Sequence, residues 1–476
     1  MATTNNPVKI LDVSRVTPIS IDSSEFTTEF SLPLTYFDIF WLKLYPTEEI
    51  FYYEQKDLSL SFFDSVIVPK LKSSLSLALF HFLPLGGNII WPPDVNKPAI
   101  VYNPNDGVSL TIAESNADFT RLSSNQMNEA IESRFYVPEL AISDSKVATI
   151  AIQITLFPKQ GFSIGISYHH AVLDGKSKVM FVKAWAHICK QIEIGKNQTL
   201  LPELTPFLDR TIVRDPEGLA IVYLKNWLET RLPCFNDNTR SLKQLPNMKS
   251  LSNLTRGTFE LSRQDIKKLK EKVLSQLSDP YQMKSIHLST FVVSFAYTIV
   301  CMVRARMLER KRKIMIGFSA DCRARLDPPL PENYFGNCVA AYFTFIEVES
   351  LLEENGITFV AEKLSDIIKG VSNGVLEGAK EKLANFLKEM EVGEVEVFGV
   401  NSSPKFEVYG TDFGFGRPKR VEFTSIDLSG GISMSESKDG SGGIEVGLVL
   451  KQHEMELFNS LFVNGLLDNE ATILQN

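Results

Sequence analysis

Short β-branched and aromatic runs alternate with longer amphipathic stretches along the chain, and this alternation restricts it to layered α/β architectures. ATIAIQITLF (Ala148–Phe157), FSIGISY (Phe162–Tyr168), KIMIGFSA (Lys313–Ala320), VAAYFTF (Val339–Phe345), Arg420–Ile426 and Ile444–Leu450 read as strands. They are rich in Ile, Val and Phe, and most end at Gly, Pro or Asp. Helical spacing appears in Phe63–Leu83, which stops at Pro84-Leu85-Gly86-Gly87, and in Lys176–Ile192, whose apolar face holds Val179, Phe181, Val182, Trp185, Ile188 and Cys189. A third helix runs from an N-capping Ser262 to Leu277, with Ile266, Leu269, Val273 and Leu277 on one stripe. No period of 20 to 50 residues recurs, which argues against solenoids and propellers.

At 476 residues the chain has room for more than one domain. Glu193–Glu217 carries Gly195, Pro202, Pro206 and Pro216 with weak periodicity, and reads as a linker between two comparable halves. Arg231–Ser252, rich in Asn and Ser, reads as a surface loop. Lys and Arg number 49 and Asp and Glu 57, a formal charge of −8. That balance speaks against nucleic-acid partners and anionic membranes, although a local basic pocket remains compatible with it. The basic run Arg304–Lys313 is then an exposed loop after a helix. The charge-free run Leu288–Val303 is too short to span a bilayer and reads as a buried element. Five scattered cysteines, Cys189, Cys234, Cys301, Cys322 and Cys338, without a C-x-x-C pair, point to reduced thiols and a cytoplasmic protein. The first residues show no secretory leader.

The chemistry concentrates in Gly165-Ile166-Ser167-Tyr168-His169-His170-Ala171-Val172-Leu173-Asp174-Gly175-Lys176. A buried-type strand ends in two histidines, and a carboxylate follows four residues after the second, on the turn into a helix. An imidazole at a strand end facing a cleft titrates near neutrality and accepts a proton from an alcohol. Two other readings stand beside this one: core histidines before a helix, and a metal site of His169, His170 and Asp174. The metal reading gives a poor facial ligand set.

Further motifs narrow the choice. They are Leu32-Pro33-Leu34-Thr35-Tyr36-Phe37-Asp38, Asp321-Cys322-Arg323-Ala324-Arg325-Leu326, Asn333-Tyr334-Phe335-Gly336-Asn337-Cys338 and Tyr409-Gly410-Thr411-Asp412-Phe413-Gly414-Phe415-Gly416-Arg417-Pro418. With H-x-x-x-D in this order, they resemble the plant BAHD acyltransferases, and Y-F-G-N-C resembles the branch that malonylates flavonoid, anthocyanin and phenolic glucosides. The resemblance implies an α/β protein with two similar-sized domains of the chloramphenicol acetyltransferase-like fold, mixed sheets flanked by helices, and a central solvent channel. Residues 1–192 would carry H-x-x-x-D, 193–217 the crossover, and 218–476 D-F-G-F-G.

It further implies an O-acyltransferase that moves an acyl group, malonyl first, from CoA to a sugar hydroxyl, with His170 as general base in a ternary complex. Asp174 would pair with Arg323. Asp412, Phe413, Gly414, Phe415 and Gly416 would shape the channel on the CoA side, with Phe415 where the family usually has Trp. Lys267 and Lys270 are candidates for the CoA phosphates. Lys176, Lys178 and Arg417 are cations near the site in chain terms and candidates for the malonyl carboxylate. Malonyl-CoA would be a co-substrate, with no bound cofactor and no metal, in a monomeric enzyme that binds only small molecules. A hydroxycinnamoyl donor is the alternative within this reading. A metal-assisted hydrolase and a non-catalytic binding protein are the alternatives outside it.

Overall fold

The computed structural model describes residues 7–20, 29–193, 199–230, 240–244, 253–371, 374–392 and 395–467. The strands that frame the site are, in chain order, β1 (Val8–Val16), β2 (Thr47–Glu54), β3 (Val108–Ser115), β4 (Ile150–Phe157), β5 (Gly161–Tyr168), β6 (Leu254–Leu261), β7 (Lys313–Asp321), β8 (Val339–Glu347), β9 (Glu396–Gly399), β10 (Arg420–Phe423), β11 (Ser433–Glu436) and β12 (Ile444–Lys451). The helices that bear on the site and the two cores are α1 (Tyr36–Ile39), α2 (Val68–His81), α3 (Gly175–Glu193), α4 (Leu219–Glu229), α5 (Arg263–Gln276), α6 (Thr290–Ala305), α7 (Gly356–Val371), α8 (Ala379–Val392) and α9 (Gln452–Asn464).

Six strands form one mixed sheet in the order β1-β3-β4-β5-β2-β10. β4 and β5, buried at every position, lie at its centre as an antiparallel pair. This is why both read as nearly unbroken apolar runs. Gly161 opens β5, because a Cβ there would lie 2.2 Å from the Tyr53 carbonyl oxygen on β2. A second sheet is ordered β11-β12-β6, with Asn128–Glu129 pairing at its far edge, and a third is ordered β8-β7-β9.

The boundary placed at residues 193–217 separates most of the two large sheets, and two segments cross it. β10, from the last quarter of the chain, pairs with β2 and completes the first sheet. Asn128–Glu129, from the first half, pairs with β6. Accordingly the core around the first sheet also holds Cys322, Tyr334, Phe335, Cys338, Phe413, Val421 and Phe423. A second core forms between β6, β12 and helices α5, α6, α7 and α9.

Most elements match their spacing. The run 288–303 is a helix, α6, buried through most of its length and capped at Ser289. Among the described residues no helix is long and apolar enough to cross a membrane. α5 begins at Ser262 as a capping box with Asp265. The strand expected over Arg420–Ile426 ends at Phe423. There the Thr424 amide turns to the Glu48 carbonyl (3.0 Å), and Asp427 pairs with Arg256, which curls the chain into a short helix. The linker folds partly: α3 runs to Glu193 and Pro202–Leu204 forms a 3-10 turn. Most of Arg231–Ser252, like Cys234, lies outside the described residues.

Candidate active site

The His169–Asp174 turn is fixed at both ends by its neighbours. The His169 amide donates to the Thr149 carbonyl (2.9 Å), which extends the β4–β5 pairing by one residue. Asp174 then caps α3, accepting the Ser177 amide at 2.9 Å. Behind it, Phe181, Trp185, Ile188 and Cys189 bury the inner face of α3. The polarity of the sequence therefore changes where the chain leaves the sheet, and the histidines sit at that change.

The two histidines differ in environment. His169 is fully buried, and its Nδ1 accepts the Ala171 amide at 3.1 Å. Burial, with His170 alongside, pulls its pKa down to about 3, so it is neutral with its proton on Nε2. His170 is half-buried, and its ring lies parallel to the Trp41 indole, centroids 4.1 Å apart and planes 9° apart. Its carbonyl accepts from Asn337 Nδ2 at 2.8 Å. Burial lowers its pKa below the ordinary imidazole value, against the pull of Asp174, the Asn337 hydrogen bond and Asp38. The His170 ring is therefore neutral near pH 7, the form that takes a proton.

Asp174 is buried. Its carboxylate meets the Arg323 guanidinium edge-on, Oδ2 to Nη1 2.9 Å and Oδ1 to Nη2 3.1 Å, and Oδ2 also accepts the Cys338 amide at 3.0 Å. Burial alone would raise its pKa, but Arg323 and the Ser177 and Cys338 amides hold it below the usual carboxylate value. Arg323 is fully buried. Its remaining N–H groups donate to Asp321 Oδ1 and to the Tyr334 and Gly336 carbonyls, so D-C-R and Y-F-G-N-C close on one another. These contacts also settle the metal alternative on geometry. Both Asp174 oxygens and His169 Nδ1 already accept hydrogen bonds, and among the described residues no three His, Cys, Asp or Glu side chains are placed to hold a metal ion.

A second buried pair stands on the other side of the turn. Asp38, on α1, accepts from Arg210 Nη1 (2.7 Å), from the Thr35 amide and hydroxyl (2.7 Å each) and from Asn337 Nδ2 (3.1 Å). Asn337 thus bridges Asp38 to the His170 carbonyl. Arg210 also donates to the Val172 carbonyl at 3.3 Å. Asp38 and Asn337 stand in L-P-L-T-Y-F-D and Y-F-G-N-C, but no spacing in those motifs points to a partner for either. Arg210 sits inside the supposed linker and Trp41 three residues past Asp38, and no local pattern marks either.

Past the turn, the Gly175 position faces the Phe406 ring: a Cβ there would come within 2.5 Å of it. This explains glycine after Asp174 better than any backbone demand does.

The other candidates fall at different places. Asp412 accepts the amides of Gly414 (2.8 Å) and Gly416 (3.0 Å) and pairs with Lys190 (2.9 Å) near the C-terminal end of α3. Lys190 is about 22 Å along the helix from Gly175 at 1.5 Å per residue. Both glycines have φ +91°, a region that strains other residues. Phe413 is buried against Trp185, centroids 4.7 Å apart. Phe415 sets its edge on Phe162, with Lys70 Nζ 4.5 Å above the ring. The element is a clasp between α3 and the first sheet, and Phe415 fills it by packing. Lys267 and Lys270 stand on α5, which packs on the second core with β6, α6 and α7. Lys267 is exposed beside Glu271 (3.7 Å), and Ser262 and Asp265 already cap that helix.

The cations expected for a malonyl carboxylate need correction. Lys178 is buried and paired with Glu49. Lys176 pairs with Glu332 and lies 3.5 Å from Asp321. Both charges are already matched by neighbouring carboxylates, while Arg417 is exposed beyond the clasp.

A strand-end histidine held by two buried arginine–carboxylate pairs can be compared with known proteins on its whole chain. The Transferase family model matches residues 11–464, so the chain belongs to that family, the BAHD acyltransferases. It is 42% identical to Phenolic glucoside malonyltransferase 1 of Arabidopsis thaliana over 96% of this chain and 98% of that one. It is 43% identical to Malonyl-CoA:anthocyanidin 5-O-glucoside-6''-O-malonyltransferase of the same plant, over 98% and 100%. It is also 40% identical to Agmatine coumaroyltransferase from that plant, over 96% and 98%. Among solved structures, vinorine synthase shares the fold at 20% identity, with a TM-score of 0.65 over 97% and 98% of the two chains.

Proposed function

We propose that the chain transfers a malonyl group from malonyl-CoA to a sugar hydroxyl of a phenolic glycoside. The observation that carries the chemistry is the half-buried, neutral His170 ring at the end of β5, beside an Asp174 committed to Arg323. The donor and acceptor classes are those in the names of relatives at 42% and 43% identity.

In this reading the sugar hydroxyl gives its proton to the His170 imidazole as its oxygen bonds to the thioester carbonyl carbon. The tetrahedral oxyanion then collapses, the C–S bond breaks, and the proton returns from the imidazolium to the departing thiolate. Asp174 and Arg323 hold the turn and take no part in proton transfer. The halves 1–192 and 218–476 enclose the substrates, and Asp412–Gly416 clasps them together. Lys267 and Lys270 serve the CoA phosphates. The enzyme acts as a cytoplasmic monomer without a metal; buried, unbridged Cys301, Cys322 and Cys338 support a reducing location.

The 40% identity to a coumaroyltransferase favours one second reading, an aromatic acyl donor with an amine acceptor. The test is a competition. Purified protein receives malonyl-CoA and p-coumaroyl-CoA together, with a phenolic glucoside, a flavonoid glucoside or agmatine, and CoA release and product mass are measured. A malonyl ester of a glucoside is expected. A dominant coumaroyl product would select the second reading, and no CoA release with any pair would overturn both.

A further inference from the structure

A general base that charges during the reaction normally has a group to orient it and to stabilise the charge. Around His170 the obvious ones are occupied. Asp174 faces Arg323 and Asp38 faces Arg210, so each carboxylate is already balanced by a cation at 2.9 Å and 2.7 Å. His169 is neutral, and burial keeps the Cys338 thiol protonated by raising its pKa. Asn337 Nδ2 is shared between the His170 carbonyl and Asp38. His170 Nδ1 is buried with no hydrogen-bond partner among the described residues. The His170 ring stacks on the face of Trp41, 4.1 Å away and nearly parallel. Trp41 is itself set by an edge contact from Phe40 at 5.1 Å.

We propose that Trp41 is a positioning residue for His170: its indole face fixes the imidazole plane and stabilises the imidazolium formed when the acceptor loses its proton. The inference rests on the acyl-transfer reading for its catalytic consequence. An aromatic face attracts a cation most strongly where water is excluded, and indole is the strongest of the side-chain rings. The stack therefore acts against the burial that disfavours the charged ring. It also lets the base keep a fixed plane without a hydrogen bond at Nδ1, which leaves the ring free of the carboxylate that a hydrolytic triad would require.

The test uses the full chain and the variants Trp41→Leu and Trp41→Phe. In Trp41→Leu the acid limb of the kcat/KM profile should move about one pH unit lower, with kcat down about tenfold and KM for malonyl-CoA within about twofold. Trp41→Phe should keep the limb close to that of the parent. The His170 ring, carbon-13 labelled and titrated by NMR without substrate, should show the same shift. Fluorinated tryptophan incorporated in the parent and in Trp41→Phe protein drains the ring face without changing its shape. It should lower the His170 pKa in the parent only, which tests the idea even if Trp41→Leu does not fold. An unchanged pKa in the fluorinated parent, or equal pH profiles for Leu and Phe, would overturn the proposal. A parent that transfers no acyl group would overturn the functional reading instead, and the titration would still decide on Trp41.

Discussion

Replacing Asp174 by Asn tests whether this carboxylate works through the fold or through the reaction. The change is nearly isosteric, but it removes the charge that faces Arg323 at 2.9 and 3.1 Å. Arg323 is fully buried and always charged, so Asn leaves it only the partly exposed Asp321 carboxylate. Breaking such a pair from one side costs about 3–5 kcal/mol. An unfolding entropy of about 2.1 cal/mol/K per residue gives roughly 1 kcal/mol/K for 476 residues. The melting temperature should therefore fall by about 3–5 °C, together with activity. Arg323→Gln in the Asp174→Asn background should recover part of the loss, because the neutral pair leaves no unmatched charge. The pH sign follows from the lowered Asp174 pKa. Its stabilisation is complete above the ordinary carboxylate value and is lost as pH falls through the folded-state value, so Asp174→Asn should flatten that acid limb. Calorimetry on the four proteins reads the cycle. A single variant that melts with the parent yet is inactive would refute the argument and give Asp174 a direct chemical role.

His170→Ala should lower CoA release at least roughly 10²-fold while the melting temperature stays within about 2 °C, because the ring is only half-buried. His169→Asn should stay active, since an amide oxygen can accept the Ala171 amide. It should also flatten acid unfolding between pH 6.5 and about 3, where the buried neutral His169 makes stability fall as pH drops, by at most about 1.4 kcal/mol per pH unit. Gly175→Ala should cut activity and stability by driving a methyl into Phe406. Adding Phe406→Ala should restore much of the stability, and a double variant no better than Gly175→Ala would contradict the steric explanation.

The turn that holds the site is written locally. An apolar run, two polar rings, a capping carboxylate and a helical stripe follow in order, and the spacing alone places them. The Asp174–Arg323 partnership came from family likeness, since 149 residues separate the two. Asp38 and Arg210, 172 residues apart, had no comparable cue, because Arg210 stands in a proline-rich stretch that looks like linker. Lys178 misled for the same reason. Its partner Glu49 lies in T-E-E-I-F-Y-Y-E, where adjacent acids suggest a solvated strand end, yet both Glu48 and Glu49 are buried. Side-chain pairs across layers leave no period in a sequence. Nor does the place of a strand within a sheet: nothing in R-V-E-F foretells that β10 pairs with β2.

That last pairing sets a timetable for biosynthesis. The other five strands of the first sheet have all been synthesised once Tyr168 is made, but β10 begins only at Arg420, about 250 residues later. At about 5–20 residues per second the nascent chain waits roughly 13–50 s with the β2 edge unpaired. That edge carries Ile50-Phe51-Tyr52-Tyr53, the kind of open apolar strand that recruits foreign strands. The N-terminal half is thus a late finisher, dependent on the C-terminal half for closure, and its newborn form is a natural client for chaperones.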